Sequence, residues 1–137
     1  MPSSPPHPTQ DAGATVGDVG EAALINRICR RVPPAPDWVA TGIGDDAAVV
    51  EPARGTLDVV TTDTLVEGIH FERSFFPAAD LGHKTLAVNL SDLAAMGATP
   101  RVAVLSLVLP AGMAAADLDS LVDGMLALAT RHRVALV

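Results

Sequence analysis

Residues 43–63 read IGDDAAVVEPARGTLDVVTTD and contain two apolar segments, each beside an acidic run. The apolar parts predict strands over residues 43–50 and 57–62, joined by a turn that contains Pro and Gly. Gly44-Asp45-Asp46 opens the first strand, and Thr61-Thr62-Asp63 closes the second. Carboxylates and hydroxyls therefore collect at strand ends, and these hard oxygen ligands are the kind that hold Mg²⁺.

Three helices and two further strands are predicted around this stretch. Apolar residues at helical spacing predict helices over residues 21–31, 80–96 and 114–131. Asp80 is expected to cap the second helix, and Gly97 and Pro100 are expected to end it. The third helix is expected to face inward with Leu118, Leu121, Val122, Met125 and Ala129. Strands are predicted over residues 134–137 and over 102–109, an almost continuous apolar run expected to be buried on both faces. This order indicates an α+β fold, a four-stranded mixed sheet with helices on one face. A second copy of the domain is the simplest cover for the other face.

The composition excludes several classes of function. A net charge of −7 and a pI near 4.8 leave no basic stripe for nucleic acid. No apolar run has the length of a membrane span, and the N-terminus lacks the pattern of a signal peptide. The only cysteine, Cys29, cannot form an intramolecular disulfide, which fits a reducing cytoplasm. We therefore expect a cytoplasmic protein with a disordered tail over residues 1–19 and one folded domain over residues 20–137.

Each acidic run allows two interpretations. Gly44-Asp45-Asp46 has common turn chemistry, but an aspartate pair at the start of an apolar strand is costly without a cation. Thr61-Thr62-Asp63 is equally compatible with a turn that ends the strand and with a metal site. The metal site requires a bend after Thr62, because alternate residues of a strand point to opposite faces.

Asp92 and His70 also stand out. Asp92 lies among apolar residues of the helix predicted over residues 80–96, so it is either a solvated residue or one held by a partner. His70 lies in a loop beyond the acidic residues, where a substrate contact competes with a structural role. The remaining histidines and the arginines of the first helix are interpreted as solvated: His7, His83, His132, Arg27, Arg30 and Arg31. Glu67 and Lys84 are left without an assigned role. Glycine-rich phosphate loops and nucleophile motifs are absent from the sequence.

Three motifs together resemble the thiamine-monophosphate kinase family. They are IGDDAA at residues 43–48, TTDTLVEGIHF at 61–71 and KTLAVNLSDLAAMGATP at 84–100. The third is shared with the wider superfamily of aminoimidazole-ribonucleotide synthetase-like proteins, whereas the second is more specific. The resemblance covers about residues 20–137, which correspond to the ATP- and Mg²⁺-binding N-terminal domain of that family.

The resemblance implies ATP-dependent phosphorylation of thiamine monophosphate to thiamine diphosphate, with Mg²⁺ as the metal. It also implies a homodimer in which the sheets of two N-terminal domains form a shared barrel, with ATP beside the interface. By motif, the metal ligands would be Asp46, Thr61, Thr62, Asp63 and Asp92, and His70 would contact substrate. The nucleophile would be a phosphate oxygen that is already anionic, so no side chain is assigned as a catalytic base.

The family's Gly-Gly-Asp-Thr turn and C-terminal domain do not occur within these 137 residues. We therefore expect a truncated domain with little or no kinase activity alone. Two alternatives stay open. One is another ATP-using enzyme of the superfamily, such as a selenophosphate synthetase, a hydrogenase-maturation protein or a purine-synthesis enzyme, against which residues 64–71 argue. The other is a non-catalytic dimerisation or nucleotide-binding module, against which the intact aspartates argue.

Overall fold

A computed structural model describes residues 13–137, which form an α+β arrangement of four helices and two small sheets. The helices are α1 (Val16–Val19), α2 (Glu21–Cys29), α3 (Ala78–Ala95) and α4 (Ala115–His132). The strands are β1 (Val39–Thr41), β2 (Val49–Val50), β3 (Val102–Ala103) and β4 (Ala135–Leu136). Helices α2, α3 and α4 lie where the sequence predicts them, but the strands are shorter than predicted, β1 lies outside every predicted strand, and the strand predicted over residues 57–62 does not form.

The core forms where α3 and α4 pack together with almost no space between their backbones. A Cβ atom on Gly82 of α3 would overlap the carbonyl of Leu121, and one on Gly124 of α4 would overlap the carbonyl of Ala79. The predicted inward face of α4 is confirmed, because its apolar residues at helical spacing are all buried: Leu118, Leu121, Val122, Met125 and Ala129. The other segments of the domain thus pack against these two helices.

The two ends of α3 differ in how well local sequence predicts them. Asp80 was expected to cap the helix, and this is wrong: Pro77 occupies the N-cap position without a side-chain hydrogen bond, and Asp80 lies within the first turn. A carboxylate there still favours the helix, because it faces the positive end of the helix dipole. The predicted stop at Gly97 is confirmed. This residue has a φ of 66°, and the N–H of Ala98 returns to the carbonyl of Leu93 at 2.8 Å.

Two two-stranded sheets replace the predicted four-stranded sheet in the part of the chain that the structure describes. β1 pairs with β2 antiparallel, and β3 pairs with β4 in parallel. The first predicted strand is wrong over residues 43–48, which form the turn between β1 and β2. Residues 57–62 form no ladder, and Leu57 and Val60 are 93% and 89% exposed. A strand needs a neighbour for its backbone N–H and C=O groups, and within residues 13–137 none lies beside this segment.

Residues 102–109 keep the period of a strand, although only β3 is hydrogen-bonded as one. Ala103, Leu105, Leu107 and Leu109 pack against the core, whereas the alternate residues Val104 and Val108 are 80% and 98% exposed. Burial on both faces, which the sequence predicted, is therefore wrong for the single chain. The helices cover one side of this run and leave a row of valines on the other.

Residues 13–19 were expected to belong to a disordered tail, but they form a capped turn. Thr15 and Asp18 form a capping box: the N–H of Thr15 donates to the Asp18 carboxylate at 3.0 Å, and the N–H of Asp18 donates to the Thr15 hydroxyl oxygen at 3.3 Å. The next residue, Val16, is buried, and its N–H donates to the carbonyl of Met113 at 2.8 Å. The rest of the predicted tail, residues 1–12, lies outside the described residues.

Ion pairs fasten α2 to α4. Arg27 makes a two-pronged contact with Asp119, Nε to Oδ1 and Nη2 to Oδ2, both at 2.7 Å. Arg31 contacts the same carboxylate and also Asp123, with its Nη1 at 2.7 Å from Oδ1. The interpretation of these two arginines as a solvated face is therefore wrong. Local sequence does not show their partners, because these lie 88 to 92 residues further along the chain.

Arg101 joins the β1–β2 hairpin to the segment that begins β3. Its guanidinium lies 4.4 Å from the centre of the Trp38 ring, and Nη2 donates to the carbonyl of Glu51 at 3.2 Å. Cation–π stacking of this kind is favourable at partly buried sites. The hairpin that carries Asp45 and Asp46 is thereby held beside the rest of the domain.

Candidate functional site

One hydrogen bond connects the second acidic run to α3. Thr61 lies at the end of the 57–62 segment, and its Oγ1 donates to Oδ2 of Asp92 at 2.9 Å, across 31 residues of sequence. Asp92 is exposed and lies near the C-terminal end of α3, while Thr61 is half-buried. Two of the five residues predicted as metal ligands are therefore in contact.

Asp46 lies on the turn between β1 and β2. The turn interpretation is confirmed, since Gly44 has a φ of 112° and the N–H of Asp46 donates to the carboxylate of Asp45 at 2.8 Å. Both aspartates are exposed. A carboxylate on a tight surface turn remains available as a ligand, so the turn is compatible with metal binding.

The predicted ligands do not form a complete metal centre. Thr62 and Asp63 are exposed, and no hydrogen bond within residues 13–137 ties their side chains, or that of Asp46, to the Thr61–Asp92 pair. In the same range, no three side chains of His, Cys, Asp or Glu lie together as a metal site. The chemistry of the donor set fits a hard cation such as Mg²⁺, because all five residues offer carboxylate or hydroxyl oxygens.

His70 lies in a turn that bonds both its ring and its backbone. Its Nδ1 accepts a hydrogen bond from the N–H of Val66 at 3.0 Å, and its own N–H donates to the carbonyl of Val66 at 2.8 Å. Gly68, with a φ of 80°, allows the chain to reverse here. The ring is exposed. His70 thus presents a fixed imidazole to solvent near α3.

Sequence reasoning left Glu67 and Lys84 unassigned, and the structure gives both a partner. Arg73 Nε contacts Glu67 Oε1 at 2.7 Å, and Lys84 Nζ donates to the carbonyl of His70 at 2.6 Å. The sequence contained one indication of a role for Lys84, namely its position eight residues before Asp92 on the same helix. One element therefore makes both contacts to the 61–71 segment.

Comparison with known proteins identifies the class. The model of the AIR synthase related protein family, N-terminal domain, matches residues 44–137. The chain belongs to this family, and the resemblance inferred from its motifs is confirmed at this level. No helix among residues 13–137 has the length and apolar character needed to cross a membrane.

Particular relatives are thiamine-monophosphate kinases. The chain is 38% identical to the enzyme of Bacillus subtilis over 99 residues, which are 72% of this chain and 30% of the relative. It is 53% identical to that of Salmonella typhimurium over 92 residues, or 66% and 28% of the two chains. The crystal structure of thiamine-monophosphate kinase from Stenotrophomonas maltophilia superposes with a TM-score of 0.71 at 47% identity, covering 83% of this chain and 35% of that one. The chain therefore spans about a third of the length of the relatives it matches.

Proposed function

We propose that this chain is the ATP- and Mg²⁺-binding N-terminal domain of a cytoplasmic kinase that converts thiamine monophosphate to thiamine diphosphate. The three sequence motifs and the names of the similar proteins support this reaction. The structural observation that carries the proposal is the contact between Thr61 and Asp92. It links the more specific motif to the helix motif through two oxygen ligands.

The proposed ligands of Mg²⁺ are Asp46, Thr61, Thr62, Asp63 and Asp92. Their three carboxylates come from three different segments, namely the β1–β2 turn, the stretch after residue 57 and α3. Like charges repel, so these carboxylates have no reason to converge without a cation. We expect Mg²⁺ to draw the turn and the 57–63 stretch toward Asp92.

Bound Mg²⁺ would neutralise the charge on the transferring phosphates and align them for in-line displacement. The chain's own residues then have the tasks of holding the metal and orienting the substrate. His70 is the proposed substrate contact, through a ring that the Val66 N–H already orients. No base is needed, because the attacking phosphate oxygen carries its negative charge at neutral pH.

We also propose that the domain forms a homodimer through the uncovered side of residues 57–62 and 102–109. Four large apolar side chains are at least 80% exposed there: Leu57, Val60, Val104 and Val108. Exposed apolar groups that recur along two segments indicate an interaction surface. A second copy would cover them and would supply a strand neighbour for residues 57–62, so that the small sheets become one shared barrel.

Nucleotide binding is the activity to measure on these 137 residues. The relatives carry the same domain in about 30% of their length, and we propose that turnover also requires residues outside the matched region. Calorimetry with a non-hydrolysable ATP analogue, at millimolar Mg²⁺ and with EDTA, measures this binding. We expect affinity that requires Mg²⁺ and that falls about tenfold or more in Asp92→Asn, equivalent to ~1.4 kcal/mol.

Asp80→Asn is the matched control, because Asp80 is an exposed aspartate of the same helix but lies at its other end. It should bind like the parent chain. Nucleotide binding that ignores Mg²⁺, or that survives Asp92→Asn unchanged, would contradict the metal site.

A non-catalytic dimerisation module is the second candidate. The absence of a three-carboxylate cluster within residues 13–137 favours it. A chain that dimerises and shows no nucleotide binding at millimolar Mg²⁺ would support the module and reject the kinase domain.

A further inference from the structure

The turn that carries His70 is attached to α3 through a residue with no role in the proposal above. We propose that Lys84 is a positioning residue: it holds the backbone of His70 against α3 and thereby keeps the His70 ring in one tautomer, with its proton on Nε2. The inference rests on the proposed function only for what His70 contacts. The tautomer and its dependence on Lys84 follow from contacts within the chain.

The first step is the geometry of the turn. The N–H of Val66 points at Nδ1 of His70 from 3.0 Å, while the N–H of His70 points at the carbonyl of Val66 from 2.8 Å. The turn closes with a bond from the N–H of Gly68 to the carbonyl of Phe71 at 2.8 Å. Ring and backbone therefore hold each other, and a movement of the turn's backbone also moves the acceptor nitrogen away from its donor.

The second step is the attachment to the helix. Lys84 Nζ donates to the His70 carbonyl at 2.6 Å and lies 5.1 Å from the centre of the Phe76 ring. A hydrogen bond from a charged donor is about twice as strong as a neutral one, and the aromatic face adds an attraction of its own. Lys84 is half-buried as a residue, whereas its hydrogen bond to His70 lies at the surface. These contacts fix the position of the ammonium group and, with it, the carbonyl of His70.

The third step is the protonation state. A backbone N–H is an obligatory donor, so Nδ1 facing Val66 must be an acceptor without a proton. A neutral imidazole then carries its proton on Nε2. Because the ring is exposed, Nε2–H is a donor suited to an anionic or carbonyl oxygen of a ligand. In the other tautomer, the two N–H groups would face each other.

The fourth step places this donor relative to the proposed metal end. α3 holds the 61–71 segment at Asp92 through Thr61 and at Lys84 through His70. Eight residues separate these two attachment points, or about 12 Å at 1.5 Å of rise per residue. The helix thus sets the distance between Asp92 and the turn that carries the His70 ring, and Lys84 is the side chain that attaches this turn to the helix.

The test uses the 137-residue chain with ¹⁵N-labelled histidine and long-range ¹H–¹⁵N correlation, with the His70 signals assigned by their loss in His70→Gln. In the parent chain we expect one His70 tautomer, with Nδ1 resonating as an unprotonated nitrogen. Lys84→Met keeps an apolar stem but removes the donor, and we expect the single-tautomer pattern to be lost in favour of averaged resonances. Lys84→Arg keeps a charged donor and should retain the pattern.

Arg73→Gln is the matched control, since it breaks the Glu67 ion pair of the same turn without touching His70. It should leave the tautomer unchanged, and circular dichroism should show α3 and α4 intact in every variant. An unchanged tautomer in Lys84→Met would overturn the inference, as would equal loss in Arg73→Gln. Should Lys84→Met unfold, Lys84→Leu, which also has no donor, is measured in its place with the same expected loss and the same overturning result.

A final titration separates this inference from the proposed function. Thiamine monophosphate is added to the labelled parent chain, and the Nε2 resonance of His70 is followed. If the tautomer depends on Lys84 but thiamine monophosphate leaves Nε2 unmoved, the substrate contact is rejected and the positioning role stands. If Nε2 moves but the tautomer ignores Lys84, the contact stands and the positioning role is rejected.

Discussion

Asp119 shows how one side chain depends on partners that are distant in sequence. It is 14% exposed, and burial alone would raise the pKa of this carboxyl. Hydrogen bonds from Arg27 and Arg31, together with the charges of these two arginines, outweigh burial and hold the pKa below its ordinary value. The ionised form is therefore stabilised by folding, and α2 is attached to α4 most firmly when Asp119 is charged.

The lowered pKa predicts the direction of a pH effect. The stabilisation from Asp119 is complete above the unfolded pKa of about 3.9 and is lost as the pH falls through the lower folded pKa. Urea unfolding at a series of pH values should show Asp119→Asn less stable than the parent by about 1–3 kcal/mol near pH 7. The difference should shrink below about pH 4, where protonation removes the charge from the parent as well.

Asp37→Asn controls for the general loss of a negative charge, because Asp37 is exposed in the loop before β1. It should leave the free energy of unfolding within about 0.5 kcal/mol of the parent at every pH. If the difference in free energy of unfolding between Asp119→Asn and the parent stays constant with pH, the ion pair does not act through the charge of Asp119.

At the scale of elements, the α3–α4 contact depends on two glycines. Helix interiors disfavour glycine by about 1 kcal/mol relative to alanine, so its presence there requires a reason. The reason is close approach, since a Cβ on Gly82 would enter the carbonyl of Leu121 and one on Gly124 that of Ala79. Backbone atoms cannot move aside as a flexible side chain can.

Gly82→Ala is therefore expected to destabilise the domain by about 2 kcal/mol or more, despite the better helix propensity of alanine. Thermal or urea unfolding measures the loss. Gly112→Ala is the matched control, because a Cβ on Gly112 meets nothing within 4 Å, and its stability should stay within about 0.5 kcal/mol of the parent. Equal stability of the two variants would mean that the helices can separate without cost.

The same scale shows why some elements are predictable. The lengths of α3 and α4 and the buried face of α4 follow from local spacing of apolar residues, and the stop at Gly97 follows from a positive φ that glycine adopts without strain. Residues 43–50 have the apolar character of a strand, but Gly44 and its aspartates form a turn. A strand also needs a neighbour, and local pattern does not specify which segment provides it.

At the scale of the whole molecule, the row of exposed valines in residues 102–109 predicts the assembly state. Val108→Lys places a charge where the proposed second copy would pack, and an unpaired buried charge is strongly unfavourable. Sedimentation equilibrium at tens of micromolar should show a dimer for the parent and a monomer for this variant. Circular dichroism should be unchanged, because Val108 is 98% exposed in the single chain.

Ala127→Lys is the matched control, since it adds the same charge to an exposed position on α4. It should remain dimeric. A parent chain that is monomeric at this concentration would reject the homodimer, and the exposed valines would then need a different partner.

The sequence predicts which residues of the candidate site offer useful side chains, but it does not predict how these side chains are arranged in space. The motifs name Asp46, Asp63 and Asp92 as carboxylates of interest and His70 as a possible contact. The Thr61–Asp92 bond and the Lys84–His70 bond are non-local, and no periodicity predicts them. Lys84 was left unassigned for this reason: its partner is a backbone carbonyl, which every residue of the chain possesses.

Local spacing and contiguous motifs were enough to predict the α+β class, the two long helices and the family. The pairing of the strands, the covered side of residues 102–109 and the arginine partners of Asp119 are seen in the folded chain alone. The physical reason is chain entropy and geometry: contacts between distant residues depend on how packed helices bring segments together, and the interface between α3 and α4 governs that placement. The local preferences of residues for helix or strand do not predict this placement.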